Sequence, residues 1–493
     1  MLLVLAVIQS APLWRNGDKT GTHHLDAAAS RYHPRPMRLA RLLVPLLLLI
    51  AVPLSAATTI PPIAYNHRVL PNGLDVYSVQ DRSTPTVAIH VWYRVGAKSD
   101  PEGRSGFAHL FEHIMFKSTR NMPAEMMDRL TEDVGGFNNA GTSDDFTVYY
   151  EVVPSNYLET LLWAEAERLG SLTVDDAAFK SERDVVKEEF RSGVLAPPYG
   201  RLFYLLQKNS FAAHPYKRPV IGSIEELDAA EIADVRAFHS TFYRPDNAIL
   251  IVAGDFEQQQ LDGWVDKYLG PIGKPAAEIP RVTVTEPARK EERRVTEYLP
   301  NVPLPALAMS WLTPNAAHAD SVPLFVAATI LGDGQSSRLQ EKLVRGEIAA
   351  EAFADADLRE DLGVFAVIAI LSSEKQPADA EKVIRAEIAV MADKPVPAAE
   401  LEKAKNLILT SALRERETSN GKGFSLGQAL ILEHDASVVN TGLAKVQAVT
   451  AADVQRVTRL YLIEGKAVVL EYLDESLKPG ATPPAAEPVG GVQ

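Results

Sequence analysis

The 493-residue chain contains no cysteine. This absence excludes disulfides, sulfur-rich structural zinc sites, thiol nucleophiles and the lipid anchor of a lipoprotein. Positive charge is in deficit. Fifty Lys and Arg stand against 64 Asp and Glu, a formal net charge of −14, which argues against nucleic acid and anionic membrane surfaces as partners. Long apolar runs are missing too, since residues 42–54 give only about 13 apolar positions, too few to span a bilayer comfortably. No phosphate-binding P-loop and no GxGxxG dinucleotide fingerprint occurs.

At 46% hydrophobic residues over this length, the chain can bury at least two substantial cores. The chemistry is concentrated in residues 106–116, where His109, Glu112 and His113 form an HxxEH motif inside an apolar helical run. Histidines at i and i+4 share a helix face, with Cβ atoms roughly 5–6 Å apart, so both imidazoles reach one ion. Glu112 stands where a carboxylate that is not a ligand takes a proton from a metal-bound water. The chemistry implied is peptide-bond hydrolysis.

Residues 106–116 resemble the inverted zinc signature of the pitrilysin/insulinase family of metallopeptidases, the inverzincins. Family members take a third ligand, a glutamate about 76 residues beyond the second histidine, and 189 − 113 = 76 falls on Glu189. Residues 181–190 read as a helix on which Glu182 and Glu189, 189 − 182 = 7 apart, share a face. Glu188 points about 100° away and is the fallback ligand. By the resemblance, Glu182 is the carboxylate that orients a metal-binding histidine. The alternative is that Glu182, Asp184, Glu188 and Glu189 are a solvated acidic face. Two nitrogens and one oxygen leave tetrahedral zinc an open position, as catalytic sites require, so one Zn²⁺ per chain is expected.

Between the two segments, residues 135–150 resemble the family's Gly-Gly turn and Asn-Ala edge strand. Asn139 and Ala140 are carried over as the residues on which an extended substrate adds as a further strand. A plain hairpin turn is the alternative. Tyr149 and Tyr150 read as core residues, with lining of the cleft as the alternative, and His214 as a loop residue rather than a ligand.

Residues 37–57, basic then apolar then small, read as a secretory signal peptide, which predicts a periplasmic or secreted protein. A mitochondrial presequence is the rival, because residues 27–63 carry no acidic residue. Residues 227–235 are echoed by 449–457, an offset of 451 − 229 = 222, each leading through a helix to a Val/Ile/Leu strand. This suits two homologous α+β halves, and the resemblance implies that each is a mainly antiparallel sheet packed with helices and that the two enclose a cleft. The expected layout is an extension with signal peptide (1–57), a catalytic zinc-binding domain (62–270), a linker (271–295), a homologous non-catalytic domain (296–473) and a disordered tail (474–493).

In the second half, residues 343–352 match a family segment that carries an Arg and a Tyr used to hold substrate. This chain has Leu343 and Ala350 there. That departure predicts a heterodimer in which a related subunit supplies the pair; a homodimer is the main alternative, and a match displaced by a residue or two is the plain one. The expected activity is a zinc-dependent endopeptidase of peptides or short unfolded polypeptides. The alternatives are a non-catalytic peptide-binding or assembly subunit and a targeting-sequence processing peptidase.

Overall fold

The computed structural model describes residues 60–481. The signal-peptide expectation and residues 482–493 of the expected tail lie outside the described residues.

The chain forms two sheets. The first comprises β1 (Asn66–Val69), β2 (Asp75–Gln80), β3 (Thr86–Tyr93), β4 (Phe137–Thr142), β5 (Thr147–Pro154) and β6 (Ala248–Gly254), in the order β1-β2-β6-β3-β5-β4. The second comprises β7 (Arg293–Leu299), β8 (Ala306–Thr313), β9 (Ala349–Asp357), β10 (Gly363–Leu371) and β11 (Val468–Asp474), in the order β7-β11-β8-β10-β9. Dropping β1 makes the two orders superimpose strand for strand. Each also has one parallel pair, β2 with β6 and β7 with β11, among antiparallel neighbours. The faint sequence echo is therefore a repeat of topology. β6, Ala-Ile-Leu-Ile-Val-Ala-Gly, is buried at every position because both of its faces are covered, and so it reads as an unbroken apolar run rather than an alternation.

The covering comes from exchange between the halves. The helix Gly200–Ser210 lays Leu202 and Leu206 on Ala306, Ala308, Ile368 and Leu470 of the second sheet. The helix Ser419–Leu432 returns to the first sheet, where Phe424 meets His90 and Tyr150 edge-on, both at 4.8 Å. It lies so close that a Cβ at Gly427 would fall 2.1 Å from the Trp92 indole, so glycine is required there. The β4–β5 and β9–β10 turns also meet. Lys98 Nζ reaches Asp145 at 2.9 Å, Glu360 at 2.6 Å and Asp361 at 3.0 Å, and Arg359 reaches Asp144 at 3.0 Å.

Two expected boundaries move. β7 begins at Arg293 and so claims the last residues of the expected linker, whose preceding stretch is pinned: Glu286 accepts from the amides of Ala212, Ala213 and His214. Order also continues past Asp474, since its side chain caps a turn over Glu475–Leu477 by accepting from the Ser476 amide at 3.0 Å. Among the described residues, no helix is long and apolar enough to cross a membrane.

Candidate metal centre

The motif lies on the helix Phe107–Ile114, which buries Phe107, Ala108, Leu110, Phe111 and Ile114 in the first core and leaves His109, Glu112 and His113 on the opposite, half-buried side. Gly106 opens this helix at φ +91° and has no side chain to cap it. Asp100 does so instead, accepting from the amides of Gly106 at 2.7 Å and Ala108 at 2.8 Å, which satisfies two of the helix's free donors. The second helix, Asp176–Glu189, is capped by Asp175 and buries Phe179, Glu182 and Val186.

Glu189 Oε2 stands 3.7 Å from His109 Nε2 and 3.4 Å from His113 Nε2, and one donor atom from each of the three side chains lies within 4.8 Å of the others. Zinc–nitrogen and zinc–oxygen bonds of about 2.0–2.1 Å in a tetrahedron require donors roughly 3.3 Å apart. The set fits zinc with small side-chain adjustments. Among the described residues it is also the one convergent group of three such side chains. Glu188 points elsewhere, pairing with Arg191 at 3.1 Å in an exposed position, so the fallback ligand is not brought to the site.

The donors differ in how they hold protons. Burial pushes His109 down, so its imidazole is neutral. Burial also opposes charge on His113, but Glu182 and Glu189 outweigh it and hold His113 up at about 9. Burial would raise Glu189 as well, yet the neighbouring His113 keeps it below the usual carboxylate range.

Glu182, 6% exposed, lies 3.7 Å from His113 Nδ1, too long for a hydrogen bond but close enough for charge to act. Its other oxygen is held by Lys117 Nζ at 2.9 Å. Lys117→Met leaves this buried carboxylate without its cation. It is expected to weaken zinc binding by about tenfold, the lower end for partners standing behind ligands, read by competition with a chelator.

Glu112 stays outside the convergent set. Its Oε2 accepts from Thr142 Oγ1 at 2.5 Å. Asn139 and Ala140 lie on β4, which is an edge strand of the first sheet. Asn139 is exposed and its Oδ1 accepts from the Ala140 amide at 2.8 Å, so an incoming strand competes with that side chain for the amide. Tyr149 is fully buried in the core, and Tyr150 packs under Phe424. His214 is 2% exposed and accepts from the Tyr216 amide at 3.2 Å, far from solvent for a loop residue. Leu343 is buried in the second core, while Ala350 lies exposed on the edge strand β9.

Sequence reasoning missed Asp100, Lys117 and Thr142. For Thr142 a signal existed: it stands two residues after Ala140, hence on the same face of an extended strand.

The fold and this donor set define a class, that of two-domain α+β proteins with an inverted histidine motif on a helix beside a sheet edge. The family follows from comparison. The model for Insulinase (Peptidase family M16) matches residues 75–223, and that for Peptidase M16 inactive domain matches residues 229–408. Zinc protease PqqE of Helicobacter pylori is 32% identical over 339 residues, 68% of this chain and 76% of that protein. The crystal structure of a protease from Helicobacter pylori superimposes with a TM-score of 0.81 at 29% identity, covering 84% of this chain and 100% of that one. A probable mitochondrial-processing peptidase subunit beta of Arabidopsis thaliana is 24% identical over 404 residues, 80% of this chain and 76% of that protein. The chain belongs to peptidase family M16.

Proposed function

We propose that this chain is a zinc-dependent endopeptidase acting on peptides or short unfolded polypeptides, with one zinc held by His109, His113 and Glu189. The observation that carries the reading is the convergence of these three donors on one point while Glu112, on the same helix, is held apart from them by Thr142. Zinc bound there supplies Lewis acidity and brings the pKa of water to about 7. Glu112 takes the proton of the attacking water and returns it to the leaving amine. Glu182 keeps the His113 ring turned so that Nε2, not Nδ1, faces the other donors. The β4 edge at Asn139 and Ala140 aligns the peptide backbone by adding it as a strand.

A second proposal concerns the partner. Leu343 in the core and Ala350 at the sheet edge give this chain no Arg/Tyr pair at the expected positions, so a related subunit supplies it. The similarity to a processing peptidase subunit beta supports a chain that works in company. The place of action proposed is the periplasm or the cell exterior, on the signal-like composition of residues 37–57.

The test is zinc content and peptide hydrolysis of the purified mature chain, alone and mixed with any co-purifying subunit. One zinc per chain with cleavage supports the peptidase. A rate from the chain alone equal to that of the mixture would sink the partner, and zinc without cleavage in either sample would leave a peptide-binding subunit.

A further inference from the structure

Thr142 has no assigned part, yet its hydroxyl is the group that touches the proposed base. We infer that Thr142 is a positioning residue for Glu112, and that it ties the base to the strand on which substrate lies. The inference rests on the peptidase reading above.

The hydroxyl's bonding is settled by counting protons. Thr147, the register partner of Thr142 across the hairpin, donates its one hydroxyl proton to the Val95 carbonyl at 3.0 Å. With the Thr147 proton committed, only the Thr142 proton could bridge the 3.4 Å gap between the two threonine oxygens, and that gap is the longer and weaker of the two contacts open to it. That proton goes to Glu112 Oε2, the nearer acceptor at 2.5 Å. A carboxylate turns easily about its last torsion. Tying Oε2 fixes that torsion and leaves Oε1 as the oxygen that exchanges the proton.

The anchor is itself rigid. Thr142 is 9% exposed and ends β4. The turn that follows is tied on one side to residues 97 and 98, whose amides donate to Ser143 O and Asp144 O, both at 3.0 Å. The side chains of Asp144 and Asp145 are paired in turn with Arg359 and Lys98. Residues 139 and 140 lie on the same strand as Thr142. The strand proposed to take the peptide is thus the strand that holds the base.

The experiment uses the full chain, with its subunit if one is required, in the forms wild type, Thr142→Val and Thr142→Ser. Valine keeps the shape and β-branching but removes the donor; serine restores the donor. With zinc content equal in all three, Thr142→Val is expected to lower kcat by about 10- to 100-fold with KM within about twofold. Serine is expected to recover most of that loss. A second reading needs no activity: thermal midpoints of metal-free wild type, Thr142→Val, Glu112→Ala and the double variant. A real bond makes the double variant lose less than the two single losses added.

Additive losses overturn the bond. Non-additive losses with kcat unchanged, or serine as impaired as valine, overturn the positioning role. A zinc-loaded wild type that cleaves nothing overturns the peptidase reading instead, and the thermal cycle still reports whether Thr142 holds Glu112.

Discussion

Glu112→Gln lowers peptide hydrolysis by roughly 10²- to 10⁴-fold, the range that a well-placed general base contributes, and leaves one zinc in each chain. The two halves of this result come from separate features of the site. The substitution keeps size and shape, and the amide oxygen still accepts from Thr142, so the side chain has no reason to move. An uncharged amide, however, cannot take a proton from water or carry it to an amine. Zinc stays because the convergent donors are His109, His113 and Glu189, and none of them is altered. Metal analysis and a fluorogenic peptide assay on the same preparation check both halves. Loss of zinc along with activity would place Glu112 among the ligands, and an unchanged rate would remove it from the chemistry. The peptide-binding reading gives a third pattern, in which neither form cleaves.

The convergence of His109, His113 and Glu189 was legible in sequence because its geometry is local or counted. His109 and His113 sit one helical turn apart in an apolar run, and Glu182 and Glu189 sit two turns apart in a charged one, so helix periodicity alone assigns their faces. The resemblance then supplied the pairing of the two segments. What stayed hidden depends on which surfaces meet. Thr142 is 30 residues from Glu112 in sequence, and the bond between them requires the first sheet to place its edge beside the motif helix. Lys117 lies beyond the end of that helix, where periodicity no longer gives a direction.

The same limit applied to the fold. The apolar runs that follow the two echoed segments are β6 and β11, and the echo at 222 residues foretold two halves, whose shared strand order bears it out. The exchange of covering helices was not visible. An apolar stripe such as Leu202 and Leu206 shows that a helix is covered but not by what, and here the partner is the sheet of the other half. The disordered tail was placed too early for a related reason. Asp474 sits in a sequence rich in Pro, Ala and Gly, but it closes a strand whose parallel pairing with β7 runs to its last residue.

Zinc affinity should rise with pH by about tenfold per unit up to roughly pH 9, and His113→Ala should abolish both the slope and stoichiometric binding. The sign follows from the proton that the metal-free site holds. His109 is kept neutral by burial and Glu189 ionised by His113, so both present lone pairs at neutral pH. His113 is different, since Glu182 and Glu189 hold its pKa up at about 9 and the ring is protonated below that value. Binding must expel this one proton. Below pH 9 each unit of acidity therefore costs a factor of ten, and above it the dependence flattens. The carboxylates that favour the charged ring also favour the cation that replaces its proton, so removing one of them changes two things at once. Glu182→Gln should move the bend of the curve toward the ordinary histidine value while weakening binding above it by about 10- to 100-fold. Chelator competition between pH 6 and 10 reads both the slope and the bend. A flat profile would mean that His113 carries no proton for the metal to displace, and a slope of two would mean that a second donor is protonated with it.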